Sequence, residues 1–408
     1  MMLIVAKFGG SSLAEGRSFL AVRDILRADP SRKAVVVSAP GRRFPGDKKL
    51  TDLLLACFEA RQSGEAWEPL WARIAGRLLE IRDTCGVLPE LEQELDTVET
   101  QIAAGEISRE ELASRGEYFS ARLLAAVMGW DFLDSTAWLR FTADGQVDTV
   151  RTYGLLYRQA RRPFVTPGFY GALPDGRVHT FPRGGSDISG ALAAAALEAG
   201  LYENWTDVPG ILMADPRIYP AARPVPRMTY EALTELSLVG TQVLHEGAVR
   251  PVREQGIPLR ICSTLSPEQP GTWVTPQLPE DAESGSVLSV TGRRDRVLAA
   301  GHDLAELSER DLLTDALGRQ TVSLPASVLE DGALPGVTAL RDGAALVAVI
   351  FSEHPDRGPC AADLLWALRQ EQVPVWSILR PFGSHTLLLT VPDGEYEHAV
   401  RVLCRAAE

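Results

Sequence analysis

Basic residues are in short supply in this chain: 41 Lys and Arg stand against 54 Asp and Glu, a formal net charge of −13 at pH 7. That balance argues against a nucleic-acid or anionic-membrane surface as the main partner. An anionic ligand must then be held by a few local cations. Cysteine is sparse too. Cys57, Cys85, Cys262, Cys360 and Cys404 include no Cys-x-x-Cys pair, which fits reduced thiols in a cytoplasmic protein better than a metal site. His179, His245, His302, His354, His385 and His398 show no metal-like spacing, and no metal ligand is expected. No apolar run is long enough to span a bilayer. The opening Met1–Ala6 is too short for a signal segment before it meets Lys7.

At 408 residues the chain exceeds one typical domain, and two or three are expected. Leu3–Ala6 reads as a buried strand, Gly16–Arg27 as a helix and Ala34–Ser38 as a second strand, the pattern of a parallel sheet covered by helices. Leu50 to about Met128 is mostly helical by spacing. Short strands follow at Asp131–Asp134, Phe164–Thr166, Val178–Phe181 and Glu203–Asp207, with an alanine-rich helix over Ser189–Ala199. Leu265–Ser284, rich in Pro, Ser and acids, marks a boundary. Beyond it, strands are expected at Ser286–Thr291, Arg296–Ala300, Ala344–Phe351, Val373–Leu379 and His385–Val391. Helices are expected up to Gln370 and over Tyr396–Ala407, a ferredoxin-like order.

Two glycine-rich turns carry the chemistry. Lys7-Phe8-Gly9-Gly10-Ser11-Ser12 and Arg183-Gly184-Gly185-Ser186-Asp187 lie far apart in sequence. Glycines let backbone N–H groups approach phosphate oxygens, and fixed cations offset charge during transfer. The pair suits a polyphosphate held against an anionic acceptor. Neither turn has the form of the Walker phosphate loop or the dinucleotide fingerprint.

At these residues the chain resembles aspartate kinases of the amino-acid kinase superfamily. The matching segments are AKFGGSS (6–12), VVVSAPGRR (35–43), KLTDLL (49–54), SRGEYFSARLLA (114–125), TPGFYG (166–171), FPRGGSD (181–187), LYENWTDVPGILMADPR (201–217) and VLHEGAVRPVREQGIPLRI (243–261). The resemblance implies an amino-acid kinase fold, a mainly parallel α/β sheet with helices on both faces, over 1–275. It implies a linker over 276–286. Two smaller α+β, ferredoxin-like (ACT-type) modules would follow, the first divergent over 287–340 and the second over 341–408. It implies phosphorylation of the β-carboxylate of L-aspartate by ATP with Mg²⁺, the ion held mainly by phosphates and water. The product leads toward aspartate semialdehyde, a precursor of lysine, threonine and methionine. A homodimer through the ACT-type region is implied as well.

The same resemblance assigns residues. Lys7 would contact the transferring phosphoryl group, and Gly9, Gly10 and Ser11 the phosphates. Ser38, Thr51, Glu117, Arg183 and Ser186 would form the aspartate site, with Glu117 on the α-ammonium and Arg183 on a carboxylate. Thr206, Asp207, Leu212, Asp215, Arg217, Gln242 and Val243 would surround the nucleotide. Many relatives carry tyrosine where this chain has Leu212 and lysine where it has Gln242. Local sequence leaves alternatives open. Glu117 reads equally as a helix-surface charge beside Arg115 and Arg122, and Thr51 as a helix N-cap. Asp187, a catalytic candidate, reads as an N-cap or as polar support that positions Lys7 or a substrate ammonium, and His245 as a packing or hydrogen-bonding residue.

The glycine- and serine-bearing effector loop of the first ACT-type module is not recognisable. Weak or no inhibition by lysine or threonine is therefore expected. Two further possibilities stay open, an acyl-phosphate-forming kinase acting on another amino or carboxylic acid, and a catalytically silent subunit.

Overall fold

The computed structural model describes residues 2–182, 184–239, 244, 246–279, 287–301, 312–314, 320–325, 337–352, 359–380 and 385–408. By packing, the chain divides into Met1–Gly210 with Leu244–Thr275, and Ile211–Val243 with Pro276–Glu408. The stretch 211–243, expected to belong with 1–275, thus packs in the second unit. One physical reason is direct: Met213 O accepts from Val290 N at 2.7 Å and from Ser289 Oγ at 3.1 Å.

The first unit opens β1 (Ile4–Phe8), α1 (Gly16–Ala28), β2 (Arg32–Val37). Four helices follow, α2 (Leu50–Ser63), α3 (Glu68–Cys85), α4 (Leu91–Ala104) and α5 (Arg109–Met128). Each of the four ends on a glycine in the left-handed region, namely Gly64, Gly86, Gly105 and Gly129, where a Cβ would be strained. Next come β3 (Asp131–Phe132), α6 (Ser135–Trp138), α7 (Thr149–Gln159), β4 (Phe164–Pro167), β5 (Tyr170–Ala172) and β6 (Val178–Thr180). The unit closes with α8 (Gly185–Ala196), β7 (Leu201–Thr206), α10 (Glu246–Glu254), β9 (Leu259–Ser263) and β10 (Thr272–Thr275).

Its main sheet runs β3–β4–β2–β1–β7–β9–β10. All these neighbours are parallel except β10, which is antiparallel to β9. The strands therefore need helical crossovers, and the chain supplies them on both faces. Ala6, Phe8, Val35, Val37 and Trp205 face α1–α5 in one large apolar core. The opposite face of β1 and β7 takes α8, whose Ala191–Ala196 run is buried throughout. Gly190 lets that helix close on β7: a Cβ there would lie 2.4 Å from Tyr202 Oη.

The second unit contains β8 (Arg227–Thr229), α9 (Tyr230–Val239), β11 (Val287–Gly301), β12 (Leu312–Thr314), β13 (Gln320–Pro325), β14 (Val337–Phe351), α11 (Ala361–Gln370), β15 (Ser377–Leu379), β16 (Thr386–Pro392) and α12 (Tyr396–Ala406). Its antiparallel sheet has the order β12–β13–β11–β14–β16–β15. Leu364, Leu368, Val400 and Leu403 of α11 and α12 share an apolar core with β14 and β16. The two strands expected over Ser286–Ala300 are one strand, β11. Asp295, at φ 54°, and the register shifts around it supply a bulge that bends the strand without ending it. Residues 302–311, 315–319 and 326–336 lie outside the described residues, and so does any effector loop expected there. Among the described residues no helix is long and apolar enough to cross a membrane.

Candidate active site

Successive strand residues alternate faces, and this alone separates Lys7 from Ala6 and Phe8. Lys7 points to the α8 side, and the parallel register sets it beside Asn204. Asp187, in the first turn of α8, meets them there. Lys7 Nζ lies 2.6 Å from Asp187 Oδ1 and 3.4 Å from Asn204 Oδ1, while Asn204 Nδ2 donates to Asp187 Oδ1 at 3.1 Å. The ammonium is largely withdrawn from water, its side chain 8% exposed. The triangle holds it at one place, between β1 and β7. In the sheet order this is where successive crossovers diverge to opposite sides, the usual ligand crevice of an open α/β sheet.

The glycine turn follows directly. Gly9 N donates to Trp205 O at 3.0 Å, and a Cβ on Gly9 would lie 3.6 Å from Lys7 Nζ. Ser11–Leu13 forms one turn of 3₁₀ helix, with Ser11 exposed and Ser12 buried. Ser12 Oγ pairs with Thr264 Oγ1 at 3.0 Å, and Thr264 Oγ1 donates to Thr206 O at 3.0 Å. The carboxyl ends of β1, β7 and β9 are thereby tied together. Thr206 Oγ1 donates to Asp207 Oδ1 at 3.1 Å, and Asp207 is exposed.

Ser38 continues β2 past its carboxyl end, with its N–H donating to Phe8 O at 3.1 Å. Ala39 then meets α5. A Cβ on Gly116 would lie 2.7 Å from Ala39 Cβ, a close approach that only glycine permits. Glu117, the next residue, is 5% exposed and takes a backbone hydrogen bond from Ala39. Its Oε2 is buried without a hydrogen-bond partner among the described residues. Burial pushes its carboxyl up to about 8 against the pull of that bond. The surface-charge reading of Glu117 is therefore wrong.

Two other local readings are corrected. The N-cap of α2 is Lys49, and Thr51 lies half-buried inside the helix. The N-cap of α8 is Gly184, at φ 64°, which frees Asp187 for Lys7. Ser186 is buried, and Gly168 makes room for it, since a Cβ there would lie 2.7 Å from Ser186 Cβ. The helix begins at Gly185, four residues before the expected Ser189, after the left-handed Gly184, and inside it Ser189 Oγ donates to Gly185 O at 2.8 Å and accepts from Phe169 N at 3.1 Å.

Lys7, Gly9, Gly10, Ser38, Glu117, Ser186, Asp187 and Thr206 thus belong to the first unit, most of them at the carboxyl ends of its strands. Leu212, Asp215 and Arg217 belong to the second unit. There Arg217 N and Nε donate to Asp215 Oδ1 at 2.9 and 3.0 Å, and Leu212 bridges Pro224. Arg183, Gln242, Val243 and His245 lie outside the described residues. Asn204 and Gly41 were not singled out from the sequence. Asn204 is marked out by its register opposite Lys7, which the segment LYENWT by itself does not show.

A fixed ammonium and a glycine turn thus lie together at this crevice. The profile of the amino acid kinase family matches residues 2–263. The chain belongs to that family. Within it, the chain is 35% identical over 304 residues to aspartokinase 3 of Bacillus subtilis, a match covering 70% of this chain and 66% of that enzyme. It is 29% identical to the lysine-sensitive aspartokinase 3 of Escherichia coli over 98% of both chains. Its fold is similar to a crystal structure of Clostridium acetobutylicum aspartate kinase, with a TM-score of 0.83, 28% identity and full coverage of both chains.

Proposed function

We propose that this chain is an aspartate kinase that transfers the γ-phosphoryl group of Mg·ATP to the β-carboxylate of L-aspartate, giving 4-phospho-L-aspartate and ADP. The observation that carries the reading is the Lys7–Asp187–Asn204 triangle at the crevice, beside Gly9–Gly10. The relatives matched over nearly their whole length, an aspartokinase and an aspartate kinase, support the choice of acceptor.

Catalysis of this kind is positioning and charge neutralisation, with no covalent intermediate on the protein. Asp187 and Asn204 orient the Lys7 ammonium, which follows charge as it moves from the bridging oxygen to the acceptor. Gly9, Gly10 and Ser11 offer donors to the phosphates, with Thr206 and Asp207 of the same unit beside the nucleotide. Mg²⁺ travels with ATP as part of the substrate. Ser38, Thr51, Glu117, Arg183 and Ser186 hold aspartate. An ionised Glu117 would find in the α-ammonium the partner its Oε2 lacks. The acceptor carboxylate is already ionised near neutral pH, so no strong base is needed.

The C-terminal antiparallel sheet is proposed to pair two copies of the chain, and the enzyme is placed in the cytoplasm, in keeping with its five free cysteines. The test of the reaction is ADP release with L-aspartate and Mg·ATP, with hydroxylamine trapping of the acyl phosphate. Hydroxamate from wild type and none from Lys7→Ala is expected. ATP binding without hydroxamate would remove aspartate as the acceptor.

A further inference from the structure

The loop between β2 and α2 is basic in an acidic chain: Arg42, Arg43, Lys48 and Lys49 stand close together, with Asp47 the one acid among them. Asp47 is withdrawn completely from solvent, and three guanidiniums converge on it. Arg43 Nε lies at 2.9 Å, Arg73 Nη2 at 3.2 Å and Arg77 Nη1 at 3.8 Å. The Arg43 guanidinium holds the Asp47 carboxyl well below the usual carboxylate range.

Arg77, from α3, is the deepest of the three, 4% exposed. Its nearest partners are carbonyls. Nη2 donates to Ala14 O at 2.9 Å and to Gly41 O, and Nη1 donates to Lys48 O at 3.3 Å. Its Nε is buried with no partner among the described residues. Burying a guanidinium costs several kcal/mol of lost hydration, and a shared carboxylate at that distance offsets only part. Simple packing is met at lower cost by an apolar side chain.

What those carbonyls belong to gives the cost a purpose. Gly41 N donates to Gly10 O at 2.7 Å. A Cβ on Gly41 would lie 2.5 Å from Gly10 C, and a Cβ on Gly10 would lie 2.8 Å from Ala39 O. The glycine turn therefore rests backbone-on-backbone against Gly41. Ala14 is the C-cap of the 3₁₀ turn that follows Gly10. One nitrogen of Arg77 thus grips the support of the turn and the far end of the turn together.

We infer that Arg77 is a positioning residue for the nucleotide site: its buried guanidinium fixes the Gly9–Gly10 turn through the carbonyls of Gly41 and Ala14. The inference rests on the phosphate-binding role proposed for that turn. Its requirement is the planar fork as well as the charge, because a lysine ammonium is a point charge that cannot span the same carbonyls.

The test compares Arg77→Ala and Arg77→Lys with wild type, using Mg·ADP titration calorimetry, steady-state kinetics and hydrogen exchange read by mass spectrometry. Small misplacements of a site cost up to about a hundredfold, so Arg77→Ala is expected to bind Mg·ADP roughly 10- to 100-fold more weakly. The KM for aspartate should move less than about threefold, since the inferred contacts brace the phosphate turn. Peptides over 8–14 and 39–50 should exchange faster, with those of the second unit unchanged. Guanidinium chloride well below denaturing concentration should restore part of the Mg·ADP affinity of Arg77→Ala, and sodium chloride should not. Arg77→Lys should stay close to Arg77→Ala.

Unchanged Mg·ADP affinity, full recovery with lysine, or no guanidinium effect overturns the inference. If Arg77→Ala fails to fold, Asp47→Asn serves instead. It withdraws the charge Arg77 faces and should produce the same selective weakening to a smaller extent, and its absence overturns the inference. A wild type that does not bind Mg·ADP removes the reading beneath it, whereas wild-type binding with unaffected variants removes only the brace.

Discussion

Acidification should weaken aspartate binding through one residue. Glu117 is buried, its Oε2 has no partner among the described residues, and burial raises its carboxyl to about 8. The α-ammonium of aspartate pairs only with the ionised form. With that value, about half of Glu117 is ionised at pH 8 and about one part in a hundred at pH 6, so apparent affinity should fall roughly fiftyfold between them. Neither the substrate carboxylates nor its ammonium titrates in that interval, so the slope belongs to the protein. Calorimetry at pH 6.5 in two buffers of different ionisation enthalpy should show about one proton released per aspartate bound. Stability moves with the opposite sign from a salt-bridged carboxylate. The folded state holds its proton up to about pH 8 while the unfolded chain loses it near pH 4.5, so the ligand-free protein loses stability as pH rises through that window. The full span is on the order of 5 kcal/mol. Glu117→Gln should remove this loss, making the variant more stable than wild type above pH 8 while binding aspartate poorly at every pH. A flat affinity from pH 6 to 8, no proton release, or wild-type affinity in Glu117→Gln would refute the reasoning.

Asn204→Ala should leave Lys7 with Asp187 alone and lower kcat about tenfold, an effect typical of losing one orienting hydrogen bond; stopped-time ADP assays read it, and an unchanged kcat would make Asn204 a packing residue. Gly190→Ala should drive its new methyl into Tyr202, whose hydroxyl donates to Asp187 O at 3.2 Å. Overpacking of this kind costs about 1–3 kcal/mol, visible in urea unfolding, and should raise the KM for ATP as well. Glu203 is almost fully buried and takes Arg32 Nε at 2.7 Å and Nη2 at 3.1 Å. Glu203→Gln should cost about 3–5 kcal/mol, the cost of leaving a buried guanidinium unpaired; a loss below 1 kcal/mol in denaturant titration would count against the pair as a structural element.

Much of this was legible beforehand, for identifiable reasons. Strand, glycine turn and helix at the N-terminus read correctly because β1 and β2 are buried on both faces and so appear as unbroken apolar runs. The helical stretch from Leu50 onward read correctly because each helix carries its own periodicity and its own terminal glycine. Lys7 and Asp187 were visible as charged residues in glycine turns. Asn204 was not, because its role comes from a strand register that no local pattern encodes. Glu117 was ambiguous for the same reason: its neighbours Arg115 and Arg122 suggest a wet face, and only the packing of Gly116 on Ala39 shows otherwise. Arg77 carried no sequence signal at all. It sits in a helix with several arginines, and what distinguishes it is depth. The grouping of the stretch from Ile211 depends on partners distant in sequence, such as the bond from Val290 N to Met213 O, which no local pattern announces.

The position of β1 in the middle of its sheet has a consequence for biosynthesis. It is synthesised well before its neighbour β7, which begins at Leu201, and before the next strand, β9, at Leu259. Until β7 is made, one long edge of β1 is bare, and such edges invite pairing with other chains. Lys7 also acquires Asp187 and Asn204 only when that edge is covered. If the proposed site binds nucleotide, an immobilised nucleotide resin should retain chains that include β7 and α8 and pass over those truncated before them.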